Sequence, residues 1–99
     1  MLLIVGTIRL PPERMTDAIG AMQCMIMASR AEPGCLHYSY AADLLDPGLI
    51  HVKEMWVDHG ALTQHFESPH IAAWRAEWPA LGIKDRNLML YTVSDVRPI

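Results

Sequence analysis

The sequence predicts one α+β domain with the ferredoxin-like order βαββαβ, in which a pair of helices precedes the last strand. Stretches in which apolar residues alternate are separated by stretches in which they recur every three or four residues, the patterns of strands and helices respectively. The chain has 99 residues, the size of one domain. It contains no repeat, low-complexity tract or linker-like stretch, so we predict a single domain that spans residues 1–99.

The first strand is predicted at residues 2–10, which are rich in Leu, Ile and Val and run into Pro11-Pro12. It is apolar on both faces, with Leu2, Ile4 and Ile8 on one and Leu3 and Val5 on the other. A strand of this kind needs cover on both faces. Hydrophobic residues make up 52% of the chain, more than a small core easily hides, so the sequence favours a homodimer whose partner sheet covers the second face.

The first helix is predicted over residues 12–31, where Pro33-Gly34 closes a run of apolar residues at helical spacing. Residues 35–42 alternate and predict the second strand. We expect three side chains to share one of its faces: Leu36, Tyr38 and Tyr40.

A turn signature at Asp46-Pro47-Gly48 leads into the third strand, predicted at residues 49–57. The face of this strand that carries Glu54 is otherwise apolar, so the carboxylate is placed among Ile50, Val52 and Trp56.

Two helices and a strand complete the predicted fold. Asp58 is expected to cap the first helix of the pair, and Ser68 to cap the second, with Pro69 at its first position. The last strand is predicted at residues 87–96.

The charge pattern excludes one class of partner. The net charge is −3, from 8 basic and 11 acidic residues without runs, so no basic stripe follows a phosphate backbone and nucleic acid is not expected.

The apolar start of the chain stops at Gly6, too short for a membrane span or signal peptide, so we expect a cytoplasmic protein with no membrane partner. Cys24 and Cys35 fit no metal or redox spacing and are interpreted as reduced thiols.

Four passages resemble the antibiotic biosynthesis monooxygenase family, most closely its quinol-monooxygenase-like branch. They are Val5-Gly6-Thr7-Ile8, Ala31-Glu32-Pro33-Gly34-Cys35-Leu36-His37-Tyr38, Glu54-Met55-Trp56-Val57-Asp58, and the passage from Leu62 to the Ser68-Pro69-His70 break. The resemblance covers nearly the whole chain and is more specific for the family than for a reaction.

The resemblance implies a dimeric α/β barrel in which each subunit keeps a pocket between its own sheet and helices. Members include oxygenases that convert anthrones or hydroquinones to quinones with dioxygen and neither metal nor flavin, whereas others degrade haem, isomerise small molecules or have no known activity. Haem degradation is disfavoured, because the positions of its strand Asn, helix Trp and helix His correspond here to Thr7, His65 and Arg75.

His65 is the first candidate for a catalytic base, because an imidazole titrates near neutral pH and its helix face, with Leu62 and Phe66, is expected to point to the core. Glu54 is the expected catalytic partner, since a carboxylate bonded to an imidazole fixes its tautomer. The alternatives are a structural histidine bonded to a backbone carbonyl or to Glu54, and a structural ion pair of Glu54 with Arg9 or Arg75.

Six residues are predicted to bind the substrate. Four of them also have a structural interpretation: the two indoles as core, the tyrosine as a dimer contact, and the second histidine as an ordering element of its turn. The six are Trp56, Tyr38, Trp74, Phe66, Thr7 and His70.

No metal is expected, because His65 and His70 are separated by a helix break and no histidine pair at i, i+4 has a third ligand at zinc spacing. No cofactor is expected.

The sequence therefore favours a cofactor-independent monooxygenase that acts on a small aromatic hydroquinone or anthrone-like compound with dioxygen. A non-catalytic module that binds a small apolar ligand or only dimerises is one alternative. A proton-transfer enzyme or isomerase on the same scaffold is the other.

Overall fold

A computed structural model describes residues 1–99, and its elements follow the predicted order. They are β1 (Leu2–Arg9), a 3-10 turn (Pro12–Arg14), α1 (Met15–Arg30), β2 (Cys35–Ala42), β3 (Leu49–Trp56), α2 (His59–Phe66), α3 (Pro69–Leu81) and β4 (Lys84–Thr92). The four strands form one antiparallel sheet in the order β2-β3-β1-β4. The predicted ferredoxin-like α+β fold is confirmed.

Capping and turn residues set the ends of the helices. The Asp58 carboxylate accepts a hydrogen bond from the Ala61 amide at the start of α2, as predicted. Ser68 caps α3 with Pro69 at its first position, also as predicted. The third helix ends at Gly82, whose φ of 74° lies in the left-handed region that glycine adopts without a steric penalty.

One face of the sheet packs on the helices and forms the core. Alternate residues of β1 are buried on this face, and β3 contributes Ile50, Val52 and Trp56, each at most 2% exposed. The first helix adds Ala18, Met22 and Met25. Alternation in β3 and helical spacing in α1 thus predicted these core residues correctly, whereas Ile19, which lies on the same helical stripe, is 43% exposed.

Two local predictions about the strands are wrong. A bulge in β2, where Cys35 pairs with Trp56 and His37 pairs with Met55, leaves Leu36 without a partner. Its side chain is 54% exposed, because an extra residue breaks the alternation of faces. The last strand begins at Lys84 and ends at Thr92, earlier at both ends than predicted.

The other face of the sheet stays uncovered within the chain. It exposes Val5 of β1 and, paired opposite on β4, Met89, while Tyr91 lies beside them. Cover of this face by a partner sheet remains a prediction. None of the helices has the length and hydropathy that crossing a membrane requires.

Candidate active site

A small cavity lies between the sheet and the helix pair. Its polar walls come from Glu54 of β3, His65 of α2 and a rim formed by the exposed Arg75 and Arg86, and the remaining walls are mostly apolar. The enclosed volume is about 20 Å³, room for one or two water molecules. The side chains that line the cavity must therefore move apart before an aromatic ligand can enter.

His65 occupies the inner face of α2 and is 1% exposed. Its ring packs against the indole of Trp56 at a centroid distance of 4.6 Å and against the ring of Tyr38 at 5.3 Å. Burial lowers the pKa of His65, and the hydrogen bond that its ring donates to Glu32 opposes this by raising the pKa. The predicted inward orientation of this histidine is confirmed.

The hydrogen-bond partner of His65 is Glu32, which the sequence analysis did not single out. Nδ1 of His65 lies 2.7 Å from Oε1 of Glu32. Glu32 lies in the loop before β2, and β2 begins beside the end of β3, where Cys35 pairs with Trp56. The loop therefore lies near the chain entering α2, and because this contact depends on the pairing of β2 with β3, no local sequence pattern marks Glu32.

His70 reaches the same carboxylate from the first turn of α3. Its Nε2 lies 2.5 Å from Oε1 of Glu32, and its ring centroid is 6.0 Å from that of His65. The break at Ser68, whose hydroxyl donates to the carbonyl of His65 at 2.6 Å, turns the chain so that both imidazoles converge. One ligand atom from each of Glu32, His65 and His70 lies within 4.8 Å of the others, close enough to hold a metal ion.

Glu54 does not hold His65 in the way the sequence predicted. Its Oε1 accepts a hydrogen bond from the indole Nε1 of Trp56 at 3.0 Å, and lies 3.8 Å from Nε2 of His65, too far for a hydrogen bond. Burial raises the pKa of Glu54, while the hydrogen bond from Trp56 and the charges of Arg86 and Arg75 lower it.

Arg9 is not the partner of Glu54 either. Its guanidinium instead makes a bidentate pair with Asp46, at 2.9 and 3.1 Å.

Aromatic side chains from β2 and α3 form the rest of the cavity wall. Trp74 donates its indole N–H to the hydroxyl of Tyr40 at 3.3 Å, and burial raises the pKa of both Tyr38 and Tyr40. Trp78 also lines the cavity, and its indole Nε1 is buried without a hydrogen-bond partner. An orphaned buried donor is costly, and an oxygen atom of a ligand would satisfy it.

The structure brings some of the predicted site residues together and separates others. Five of the predicted site residues line the cavity: His65, Glu54, Tyr38, Trp74 and Phe66.

Phe66 is 47% exposed, because it is the last residue of α2 and faces the rim of the cavity rather than the core. Trp56 is fully buried behind His65 and does not reach the cavity. Thr7 shares the opposite sheet face with Val5, since strand side chains alternate. His70 borders a groove between α1 and α3 instead.

Comparison with known proteins identifies the family and the fold. Residues 1–77 match the family described as antibiotic biosynthesis monooxygenase. An uncharacterised Synechocystis protein, sll1783, is 26% identical over 98 residues, which are 99% of this chain and 67% of that protein.

Solved structures are also similar over nearly the whole chain. A crystal structure from Deinococcus radiodurans is 25% identical with a TM-score of 0.91, and the match covers 100% of this chain and 98% of that one. The protein PA3566 of Pseudomonas aeruginosa is 26% identical with a TM-score of 0.78, and the match covers 97% of this chain and 94% of that one.

Proposed function

Because this chain belongs to the antibiotic biosynthesis monooxygenase family, we propose that it is a cofactor-independent monooxygenase acting on a small aromatic hydroquinone or anthrone-like compound. The observation that carries the proposal is the buried His65 at the cavity wall, with one ring nitrogen bonded to Glu32 and the other free of hydrogen bonds. This arrangement suits a base that removes a phenolic or enolic proton.

The hydrogen bond with Glu32 sets the tautomer of His65. With the carboxylate accepting from Nδ1–H, the lone pair of the neutral ring is on Nε2. Nε2 lies on the side of Glu54, which also lines the cavity. In this mechanism Nε2 takes the substrate proton, and the carboxylates of Glu32 and Glu54 stabilise the imidazolium that forms.

The substrate anion then reduces dioxygen itself. In the anthrone case a CH2 group becomes a carbonyl, one oxygen atom enters the product and the other leaves as water, so no external reductant is required. The orphaned indole N–H of Trp78 is placed to donate to a substrate oxygen, and the aromatic ring of Trp74 to contact a flat ring system. Outward movement of the exposed Phe66 and Arg75 at the rim gives the substrate room.

We also propose that the protein is a homodimer that buries the uncovered sheet face. The exposed apolar side chains of Val5, Met89 and Tyr91 support this. Sedimentation equilibrium should give twice the chain mass, and Val5→Glu should shift it to one chain because it places a charge in the interface. A monomeric wild-type protein would refute the dimer.

An oxygen-electrode screen tests the function. Metal-free protein is mixed with hydroquinones, naphthohydroquinones and anthrones, and oxygen uptake is compared for wild type, His65→Gln and the control His51→Gln, an exposed histidine on β3. We expect uptake above the uncatalysed rate in wild type and the control, and a loss of about 10²–10⁴-fold in His65→Gln, the usual contribution of a general base. Circular dichroism verifies that each variant is folded.

Other outcomes contradict the proposal in distinct ways. Uptake at the uncatalysed rate, with aromatic ligands still raising the melting temperature, indicates a binding module. Product formation without oxygen indicates a proton-transfer enzyme. Equal uptake by wild type and His65→Gln removes His65 as the base.

A further inference from the structure

The carboxylate of Glu32 bonds to two imidazoles, those of His65 and His70, in a largely buried cluster. The side chain of Glu32 is 12% exposed, and the only groups within ion-pair distance of it are the two imidazoles. No lysine or arginine pairs with it, although a buried carboxylate is costly without a cation. The structure thus groups a carboxylate oxygen with two imidazole nitrogens, and no lysine or arginine lies within ion-pair distance of them.

We propose that Glu32, His65 and His70 form a binding site for a divalent transition-metal ion. Two imidazole nitrogens and a carboxylate oxygen are ligands that Zn²⁺, Mn²⁺, Fe²⁺ and Co²⁺ accept. Around an ion with bonds of 2.0–2.2 Å, neighbouring ligand atoms lie about 3.0–3.6 Å apart, so shifts of less than about 1 Å per side chain suffice. The three ligand atoms already lie within 4.8 Å of one another.

Metal-binding histidines often have a carboxylate beyond the far nitrogen of the ring, and Glu54 lies on that side of His65. Such histidines usually present their second ring N–H to a carboxylate, which fixes the ring and raises its basicity. Here the second nitrogen of His65 lies 3.8 Å from Oε1 of Glu54, and Trp56 in turn holds that carboxylate. At this distance Glu54 is a neighbouring carboxylate and not a hydrogen-bond partner of His65.

The site also has a route to solvent. The side chain of His70 is 23% exposed and borders the groove between α1 and α3, which has a volume of about 160 Å³. An ion enters from this side, away from the cavity, and three protein ligands leave positions open for water. The ligand spacings typical of zinc sites miss such a site, because Glu32 lies 33 residues before His65.

This inference goes beyond the proposed function and does not depend on it. A metal at Nδ1 of His65 leaves the proton on Nε2, so the loaded protein lacks the base. If both proposals hold, Zn²⁺ suppresses oxygen uptake and a chelator restores it.

Cobalt titration of chelator-treated protein tests the site without any substrate. We expect visible d–d absorption that saturates at one Co²⁺ per chain, is displaced by Zn²⁺, and is accompanied by a rise in melting temperature. Dissociation constants are compared for wild type, Glu32→Gln and His70→Ala. His51→Ala is the matched control, because His51 also bonds a carboxylate, that of Asp43 at 2.8 Å, but on the surface.

Loss of a ligand should weaken binding by more than about tenfold in Glu32→Gln and His70→Ala, since even outer-shell partners contribute 10–100-fold. His51→Ala should bind as wild type does. Neither variant removes the buried His65, and circular dichroism verifies their folding. The proposal is overturned if no saturating signal appears at one ion per chain, or if His70→Ala binds as tightly as wild type.

Discussion

Gly6 of β1 and Gly20 of α1 give opposite predictions for the same substitution to alanine. A Cβ atom at Gly6 would lie 2.0 Å from the backbone oxygen of Asn87 and 2.7 Å from Cα of Leu88. Both atoms belong to the backbone of β4, so no rotamer change relieves the clash. A Cβ atom at Gly20 meets nothing within 4 Å, on an exposed turn of the helix.

The two substitutions should change the free energy of unfolding in opposite directions. Gly6→Ala forces β1 and β4 apart, and overpacking of this kind costs about 1–3 kcal/mol in the free energy of unfolding. For a domain of this size that lowers the melting temperature by about 5–20 °C. Gly20→Ala removes the conformational freedom of glycine from a helix interior and stabilises the protein by about 0.5–1 kcal/mol.

Urea unfolding followed by circular dichroism measures both effects at one fixed protein concentration, so that any association contributes equally. The urea concentration at the midpoint of unfolding should be highest for Gly20→Ala, intermediate for wild type and lowest for Gly6→Ala. A midpoint for Gly6→Ala at or above that of wild type would refute the close approach of β1 and β4 at this position. A loss of stability in Gly20→Ala would contradict the open surroundings of α1.

Two further predictions concern a cap and a tyrosine. Asp58→Ala removes the acceptor for the Ala61 amide and should lower the free energy of unfolding in urea by about 1 kcal/mol. The control Asp95→Ala, near the exposed end of the chain, should lower it little. Equal unfolding midpoints for the two variants would count against the cap. Burial raises the pKa of Tyr40 above its ordinary 10.0, so the native state keeps a proton that the unfolded chain loses, and stability falls as pH rises above about 10. Thermal melts from pH 8 to 11 should show a shallower decline for Tyr40→Phe than for wild type, and parallel curves would disprove it.

Bulges and turns limited what periodicity could predict about the strands. The alternation in β2 placed Tyr38 correctly but failed at Leu36, because nothing in local sequence marks the extra residue of the bulge. Strand parity placed Glu54 inside, yet parity says nothing of the distance to a side chain on another element. The prediction of a hydrogen bond between Glu54 and His65 was wrong for that reason. The carboxylate of Glu54 accepts a hydrogen bond from the indole of Trp56 instead.

Spacing along a strand or helix was enough to predict the order of the elements, the caps at Asp58 and Ser68, and the inward orientation of His65. Contacts between side chains on different elements could be read only from the folded chain. It brought Glu32 to His65 and His70 over 33 and 38 residues of chain, put Thr7 on the far side of the sheet, and closed the cavity. These outcomes depend on strand pairing and on the turn at Ser68, and such long-range geometry has no local signature.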